Sequence, residues 1–267
     1  VSQLPQTLAI DLGGSKLKAA VLDPDGALIG ERVRTTTPYP CPPETLLRQV
    51  VALVRPLPWA PRISVGFPGM VRDGRVRSAT AYVRAVKDGP TDAALRAAWD
   101  RFPLEASLAQ VLQRPVRLAN DADVQGCAVI SGVGLELVVT LGTGVGTALF
   151  QDGQLLPHLE LSHAPFHDST FDLLLGKASR KRHGAAPWSA WVHEAIGWFD
   201  RITFFDHLHL GGGGAKWLAG PLPDRVTRVS NLAGILGGAW LWERGHVRPA
   251  ARGTGLRNEG STEVSSR

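Results

Sequence analysis

Two short apolar runs near the start of the chain, Thr7-Leu8-Ala9-Ile10 and Leu17 to Leu22, flank the polar stretch Asp11-Leu12-Gly13-Gly14-Ser15-Lys16. Strand-length apolar segments on either side of a glycine pair predict a β-hairpin with an acid at the end of its first strand. Asp23-Pro24-Asp25-Gly26 is a turn signal, and a third strand is expected from about Ala27 to Thr37. Cys41-Pro42-Pro43-Glu44 opens a helix whose apolar residues Leu46, Leu47, Val50, Val51, Val54 and Leu57 recur at three- and four-residue intervals. Ile63 to Phe67 reads as a buried strand ended by Pro68-Gly69, which completes an α/β layer. Residues 84–113 are expected to be mostly helical, and Pro115 to Ala119 to form a strand that runs into Asn120-Asp121-Ala122-Asp123 and an Ala-rich helix.

From Gly134 the pattern restarts. The apolar runs Glu136 to Thr140 and Thr147 to Phe150 flank Leu141-Gly142-Thr143-Gly144-Val145-Gly146, and an Asp152-Gly153 turn leads to another strand. Repetition of the order strand, glycine turn, strand, turn, strand predicts two similar halves facing one another. Further on, Trp188, Trp191, Val192, Ala195, Phe199 and Ile202 form a helical stripe expected in the core. His207 to Leu210 leads into Gly211-Gly212-Gly213-Gly214 and Lys216, read as a strand, a glycine stretch and a helix, and Asn231 is expected to cap a helix from Leu232 to Trp242. The domains expected are residues 1–119, with helix 231–245 packing back on them, and residues 120–230.

The chemistry lies mostly at the turns. Adjacent glycines let backbone N–H groups approach an anion closely, Ser15 and Lys16 add a hydroxyl and a cation, and an acid such as Asp11 beside such a cradle is how a protein holds the metal that accompanies a polyphosphate. Each turn taken alone also reads as an ordinary hairpin. Neither is a Walker loop or a Rossmann fingerprint, since neither opens a helix. Asn120-Asp121 ends a strand where open α/β sheets place ligands, and Asp121 also reads as a helix cap. Glu160 and His163 could cap a helix or bind a sugar. Gly211 to Gly214 offers a backbone surface for a nucleotide or a flexible turn. Arg180-Lys181-Arg182 belongs to a basic run that could meet a polyanion or decorate a solvated helix end.

Composition narrows the setting. The 267 residues, 44% hydrophobic, suffice for one large or two modest domains with a real core. Cys41 and Cys127 are the only cysteines, which argues against a disulfide framework or a Cys-based zinc site and fits a reducing cytoplasm. Residues 1–5 carry no signal-peptide pattern, and no apolar run approaches bilayer-spanning length, so neither secretion nor membrane insertion is expected. The net charge is +5, and residues 248–267, Gly/Ser/Arg-rich without apolar periodicity, are expected to be disordered.

Five signals stand in one order: Asp-x-Gly-Gly-Ser-Lys at Asp11, Gly-x-Pro-Gly at Gly66, Asn-Asp-Ala-Asp at Asn120, Leu-Gly-Thr-Gly-x-Gly at Leu141, and Glu-x-x-His at Glu160 before the late glycine run. The combination resembles the ROK family of sugar kinases and repressors, and within it the polyphosphate glucokinase and glucomannokinase group, over residues 7 to 245. The resemblance implies a duplicated actin-like ATPase (ribonuclease H-like) α/β fold with two domains around a cleft. It implies transfer of a phosphoryl group from polyphosphate or ATP to the 6-hydroxyl of glucose, and of mannose in some members. Asp121 would be the general base, and Asn120, Glu160 and His163 would bind the other sugar hydroxyls. Asp11 would orient Mg2+ through water. Gly13, Gly14, Ser15, Lys16, Gly142, Thr143, Gly144 and Gly146 would hold the donor phosphates, Gly212 and Gly213 would lie near adenine, and Arg180, Lys181 and Arg182 would meet a longer phosphate chain. A homodimer without nucleic-acid or membrane partners is expected.

The sequence departs from the family pattern in places. The usual Gly-Glu-x-Gly-His is Leu159-Glu160-Leu161-Ser162-His163, without either glycine. The Asn that follows Gly-x-Pro-Gly in many members has no clear equivalent in Ser78 to Tyr82. The family's zinc motif is absent, as it is in the polyphosphate group, so no zinc is expected, and Asp168 or Asp172 is left to supply a third sugar-binding acid. Other readings are a strictly ATP-dependent glucokinase and an inactive sugar-binding regulator. A repressor would need a helix-turn-helix ahead of the first hairpin, where this sequence has ten residues before Asp11.

Overall fold

The structure, a computed structural model, describes residues 5–229 and 233–244. The first half runs β1 (Thr7–Leu12), β2 (Lys16–Leu22), β3 (Leu28–Thr36), α1 (Pro43–Val54), β4 (Arg62–Phe67), a ribbon of β5 (Val71–Arg72) and β6 (Arg75–Val76), α2 (Ala93–Trp99), α3 (Leu104–Leu112) and β7 (Val116–Asn120). The second runs α4 (Asp121–Cys127), β8 (Leu135–Leu141), β9 (Val145–Gln151), β10 (Gln154–Leu155), a ribbon of β11 (Pro165–Phe166) and β12 (Ser169–Thr170), α5 (Phe171–Leu175), α6 (Lys177–His183), α7 (Ala185–Thr203), β13 (His207–Gly211) and β14 (Val226–Arg228). The described chain closes with α8 (Ala233–Leu236), a 3-10 turn at Gly237–Ala239 and α9 (Leu241–Arg244).

The expected duplication is present. One sheet has the order β3-β2-β1-β4-β7 and the other β10-β9-β8-β13-β14. In each, an antiparallel meander is extended on one side by two parallel strands. Parallel strands need crossovers long enough to hold helices, and those helices cover the sheet faces. That cover explains why β1 and β4 read as continuous apolar runs. Leu8, Ile10 and Leu12 of β1 join Ile63, Val65 and Phe67 of β4 in a core with Leu46 and Val50 of α1 and Leu104 and Leu108 of α3. The alternate positions Ala9, Ala20 and Leu22 face Ile235 and Ala239. Each large apolar side chain buried this way contributes roughly 1.5–3 kcal/mol.

Small residues on that second face let the closing segment sit close. Gly238 lies where a Cβ would come within 2.7 Å of the Ala9 Cβ, and Ser64 Oγ donates to the Gly238 carbonyl at 2.6 Å. Arg62 donates from Nε to Thr7 Oγ1 at 2.8 Å and from its terminal nitrogens to Glu243 and the Ala239 carbonyl. The predicted helix Leu232 to Trp242 is interrupted as a result. Gly237 packs so tightly on the Val124 carbonyl of α4 that a side chain would collide, and the chain turns there in 3-10 form. Asn231, Leu232 and the tail 248–267 lie outside the described residues.

Three other expectations are corrected. Residues 84–113 hold only the helices α2 and α3, because Gly89-Pro90 and Pro103 break the pattern and Arg84 bridges Thr91 instead. In the α7 stripe, Trp188, Val192, Ala195 and Phe199 are buried, but Ile202 is half exposed and Ile196 takes the inward position. No regular helix follows Gly211 to Gly214; a 3-10 turn at Ala215–Trp217 does. No described helix is long and apolar enough to cross a membrane.

Candidate active site

The helix α4 is wedged between the sheets. Its first turn lies against Gly66 of β4, where a Cβ would be 3.4 Å from the Asp121 Cα, and against Gly146 of β9, where a Cβ would be 2.9 Å from that of Ala122. Any side chain at 146 would push the second sheet off the helix, whereas at 66 a Cβ just fits and only a residue larger than Ala would do the same to the first. The glycine motifs therefore act here by letting both halves reach one helix start.

The β1–β2 turn is pinned from outside. Thr37 Oγ1 and Tyr82 Oη donate to the Gly13 carbonyl at 2.6 and 3.3 Å, and Tyr39 Oη donates to that of Gly14 at 2.6 Å. Gly13 N donates to the Lys16 carbonyl at 3.1 Å to close the turn, and a Cβ on Gly14 would lie 2.8 Å from that of Ala81. Ser15 and Lys16 are exposed at its tip. The cation beside Asp11 is Lys18, whose Nζ is 2.6 Å from Oδ2. The observed register, with residues 13–16 as the loop, sets Asp11 opposite Lys18, whereas a two-residue turn at Gly13-Gly14 would have set it opposite Lys16.

The β8–β9 turn is built into the start of α5 and α6. Val145 N donates to Asp172 Oδ1 at 2.7 Å, Lys177 N donates to the Gly142 and Thr143 carbonyls at 3.1 Å each, and Gly146 N donates to Thr140 Oγ1 at 3.2 Å. A side chain on Gly144 would collide with the Asp172 carboxylate. Asp172 thus holds the turn, and Asp168 is exposed at the tip of the β11–β12 ribbon. Gly212, with φ of +81°, bends the chain back onto the Leu141 backbone, where Gly214 N donates to the Leu141 carbonyl at 2.7 Å. The late glycines and the second glycine turn therefore form one surface.

Asn120 ends β7 as the N-cap of α4. Its Oδ1 accepts from Ala122 N at 2.7 Å and its Nδ2 donates to the Gly69 carbonyl at 3.0 Å, leaving one N–H and one lone pair. Asp121 follows, open to the cleft yet crowded by protein atoms. Loss of water, and then the charges of Asp11, Asp123 and Glu160, push its carboxyl up to about 7 against the opposing hydrogen bond from Ala122 N. In the open cleft solvent moderates that rise; a ligand covering the carboxyl would enforce it.

Two residues further, buried Asp123 meets a side chain that sequence reasoning missed. His158 Nδ1 lies 2.8 Å from Asp123 Oδ1, and its Nε2 lies 3.6 Å from Glu160 Oε1. Burial alone would lower the His158 pKa, but the bond to Asp123 and the neighbouring Glu160 outweigh it and lift it to about 10. Glu160 is in turn held below the usual carboxylate range, first by His158 and then, against the effect of burial, with help from His163. Thr147 Oγ1 donates to the Leu159 carbonyl at 2.9 Å and fixes this loop on β9. His163 is exposed at the end of a 3-10 turn, Leu161–His163. In the basic run, Arg180 stacks over Trp217 at 4.7 Å and Trp188 at 6.0 Å, whereas Lys181 and Arg182 are exposed. Among the described residues no group of three or more His, Cys, Asp or Glu is placed to hold a metal ion.

Comparison with known proteins follows the same lines. A model of the ROK family matches residues 7–158. The chain is 28% identical over 250 residues to a polyphosphate glucokinase of Mycobacterium tuberculosis, covering 86% of this chain and 88% of that one. Among solved structures, an inorganic polyphosphate/ATP-glucomannokinase from Arthrobacter sp. strain KM superposes with a TM-score of 0.74 at 30% identity, covering 91% of this chain and 99% of that one. A ROK family glucokinase from Streptomyces griseus, in complex with glucose and AMPPNP, shares the fold with a TM-score of 0.68 at 17% identity, over 88% and 98% of the two chains. With a family model spanning more than half of its residues and the duplicated actin-like architecture in these neighbours, the chain belongs to the ROK family.

Proposed function

We propose that this protein is a hexose kinase that transfers a phosphoryl group to the 6-hydroxyl of glucose, and of mannose, from polyphosphate or ATP. The observation that carries the reading is Asp121: an exposed carboxylate, raised toward neutrality, at the helix start that Gly66 of the first sheet and Gly146 of the second both approach. A base with a pKa near the working pH is ionised often enough to act and basic enough to take a proton from an alcohol. Asp121 accepts that proton as the hydroxyl oxygen attacks the terminal phosphorus and the remaining phosphates depart. Glu160, kept ionised by His158, accepts from ring hydroxyls; His163 and the free N–H of Asn120 complete the sugar contacts.

The turns at Gly13-Gly14 and at Gly142 to Gly146 hold the donor phosphates, with Ser15 and Lys16 at the tip of the first. Magnesium suits a site with one carboxylate, Asp11, beside such turns, because it keeps several waters and takes its other ligands from phosphate oxygens. Bound there, it would neutralise charge on the phosphates. Gly212 and Gly213 lie near adenine when the donor is ATP. Support for a polyphosphate donor comes from the names of the two relatives near 30% identity. Purified protein incubated with glucose and either ATP or polyphosphate tests the reading: glucose 6-phosphate is expected, and its absence with both donors would overturn it.

A further inference from the structure

We infer that His158 is a positioning residue that ties Glu160 to the helix carrying Asp121, so that the sugar-reading carboxylate and the base are held as one unit. The inference rests on the hexose kinase reading for what Glu160 and Asp121 do. The tie itself rests on geometry. The His158 side chain is 4% exposed and fixed at one end by Asp123 at 2.8 Å, two residues from Asp121 in the first turn of α4. At the other end its Nε2 has no hydrogen-bond partner and lies 3.6 Å from Glu160 Oε1, short of a hydrogen bond by a few tenths of an ångström. A buried polar nitrogen left unmatched is costly, and the nearby carboxylate is the acceptor that would satisfy it once a sugar draws Glu160 into place.

The charges agree with this arrangement. Protonated on both nitrogens, the ring offers one N–H to Asp123 and one to Glu160, two of the three carboxylates whose charge raises Asp121, so its own charge would offset part of theirs. The other charged groups around it are Arg72, which donates to the His158 carbonyl at 3.4 Å, and Asp73, Glu105 and Arg117, which line an adjoining cavity of about 690 Å³. A neutral side chain at 158 would lose the hold on Glu160 and leave Asp121 facing more uncompensated charge.

The experiment pairs His158→Asn and His158→Ala with Glu160→Gln and reads glucose affinity, donor KM and the pH profile of turnover. His158→Asn can keep a bond to Asp123 but does not reach Glu160. It should weaken glucose binding about tenfold, the size of a lost charge-assisted hydrogen bond, and move the acidic limb of the profile to higher pH. Donor KM should not change. In the Glu160→Gln background the same substitution should cost little more, because its effect passes through Glu160. Free imidazole, entering from the adjoining cavity, should restore part of the glucose affinity of His158→Ala. Equal losses in both backgrounds, or a loss confined to thermal stability, would overturn the inference. Nitrogen NMR of the His158 ring gives a readout without sugar: its titration should fall to lower pH in Glu160→Gln, and no change there also overturns it. A wild type that neither binds nor phosphorylates hexoses would instead remove the kinase reading, while the NMR comparison still decides the tie.

Discussion

Asp11 and Lys18 form an ion pair across the first hairpin, 2.6 Å from Oδ2 to Nζ, so the acid beside the first glycine turn carries its own counter-ion. A magnesium ion arriving with a phosphate donor would have to compete with that ammonium. Pairs this accessible contribute only about 0.2–1 kcal/mol, so the competition is mild. Lys18→Met should shift the magnesium dependence of turnover two- to threefold toward lower concentration, in line with a pair of about 0.5 kcal/mol. Asp11→Ala should depress turnover by roughly a hundredfold with glucose affinity little changed. Turnover measured in chelator-buffered magnesium checks both, and full activity in excess chelator would rule out this role for Asp11.

Asp121→Asn keeps the shape of the side chain and removes the proton acceptor, so turnover should fall about a hundredfold or more while glucose still binds. The same substitution should stabilise the fold. A carboxyl whose pKa is higher folded than unfolded contributes stability that is present below the unfolded value, near 4, and is lost as pH rises through about 7. At pH 8 the wild type therefore carries an unfavourable charge that Asn lacks. Discounted for the solvent in the open cleft, the gain should be about 1 kcal/mol, or 2–4 °C in Tm. Calorimetry at pH 8 and pH 4 should show the difference at the first and not at the second; no difference at pH 8 would mean that the carboxyl is not raised.

The parts of the site legible in the sequence are those whose chemistry is local. A glycine turn between two strands and an acid at a strand end announce themselves by neighbours in the chain, and the structure places Gly13-Gly14, Asp121 and Gly142 to Gly146 at such turns and strand ends. His158 was not legible in that way. A lone histidine reads as an ordinary core residue, and its partner Asp123 is brought to it only by the packing of α4 on the second sheet. Asp172 reads from the sequence as a candidate acid beside Asp168, because nothing local reveals that it accepts from Val145 N. The breaks at Gly89-Pro90 and Pro103 are readable from residues that stop helices, whereas Lys18 is not, because a two-residue turn at Gly13-Gly14 would set Lys16 opposite Asp11.

The pH dependence of kcat/KM should have an acidic limb set by Asp121, with activity falling as pH drops through about 7. Glu160 is one of the charges that raise that carboxyl. Glu160→Gln removes a negative charge, so the limb should move to lower pH, the direction opposite to that expected for His158→Asn. A rate profile from pH 5 to 9 for both variants checks the signs; a shift of both limbs in the same direction would exclude Asp121 as the titrating group.

Glu160 and His163 sit at opposite ends of one short 3-10 turn, the acid partly buried and the histidine exposed. A site built around a hydroxyl penalises loss of its own polar group, and each replacement by Ala should weaken glucose binding by about 1–3 kcal/mol, with His163 at the lower end because water can substitute for it. Titration calorimetry measures both. Unchanged affinity in the two variants would make the pair structural.

The basic run separates into two kinds of residue, and this decides how the donor should be tested. Arg180 stacks over Trp217, so Arg180→Ala would disturb packing and charge together and could not distinguish them. Lys181 and Arg182 are exposed on α6, whose first residue, Lys177, donates to the Gly142 and Thr143 carbonyls of the second glycine turn. A phosphate chain longer than the three of ATP, leaving that turn along α6, would gain a charge contact at each of these residues. Contacts between exposed charges weaken as salt shortens the screening length from about 30 Å at 0.01 M to about 8 Å at 0.15 M. Changing Lys181 and Arg182 together to Ala should raise the KM for long-chain polyphosphate several-fold at low salt, leave the KM for ATP within a factor of two, and flatten the salt dependence of the polyphosphate reaction. Glucose phosphorylation assayed with the two donors side by side across that salt range is the measurement. Turnover with ATP but none with polyphosphate of any length, even at low salt, would mean that the two cations only decorate a solvated helix and that the donor is the nucleotide.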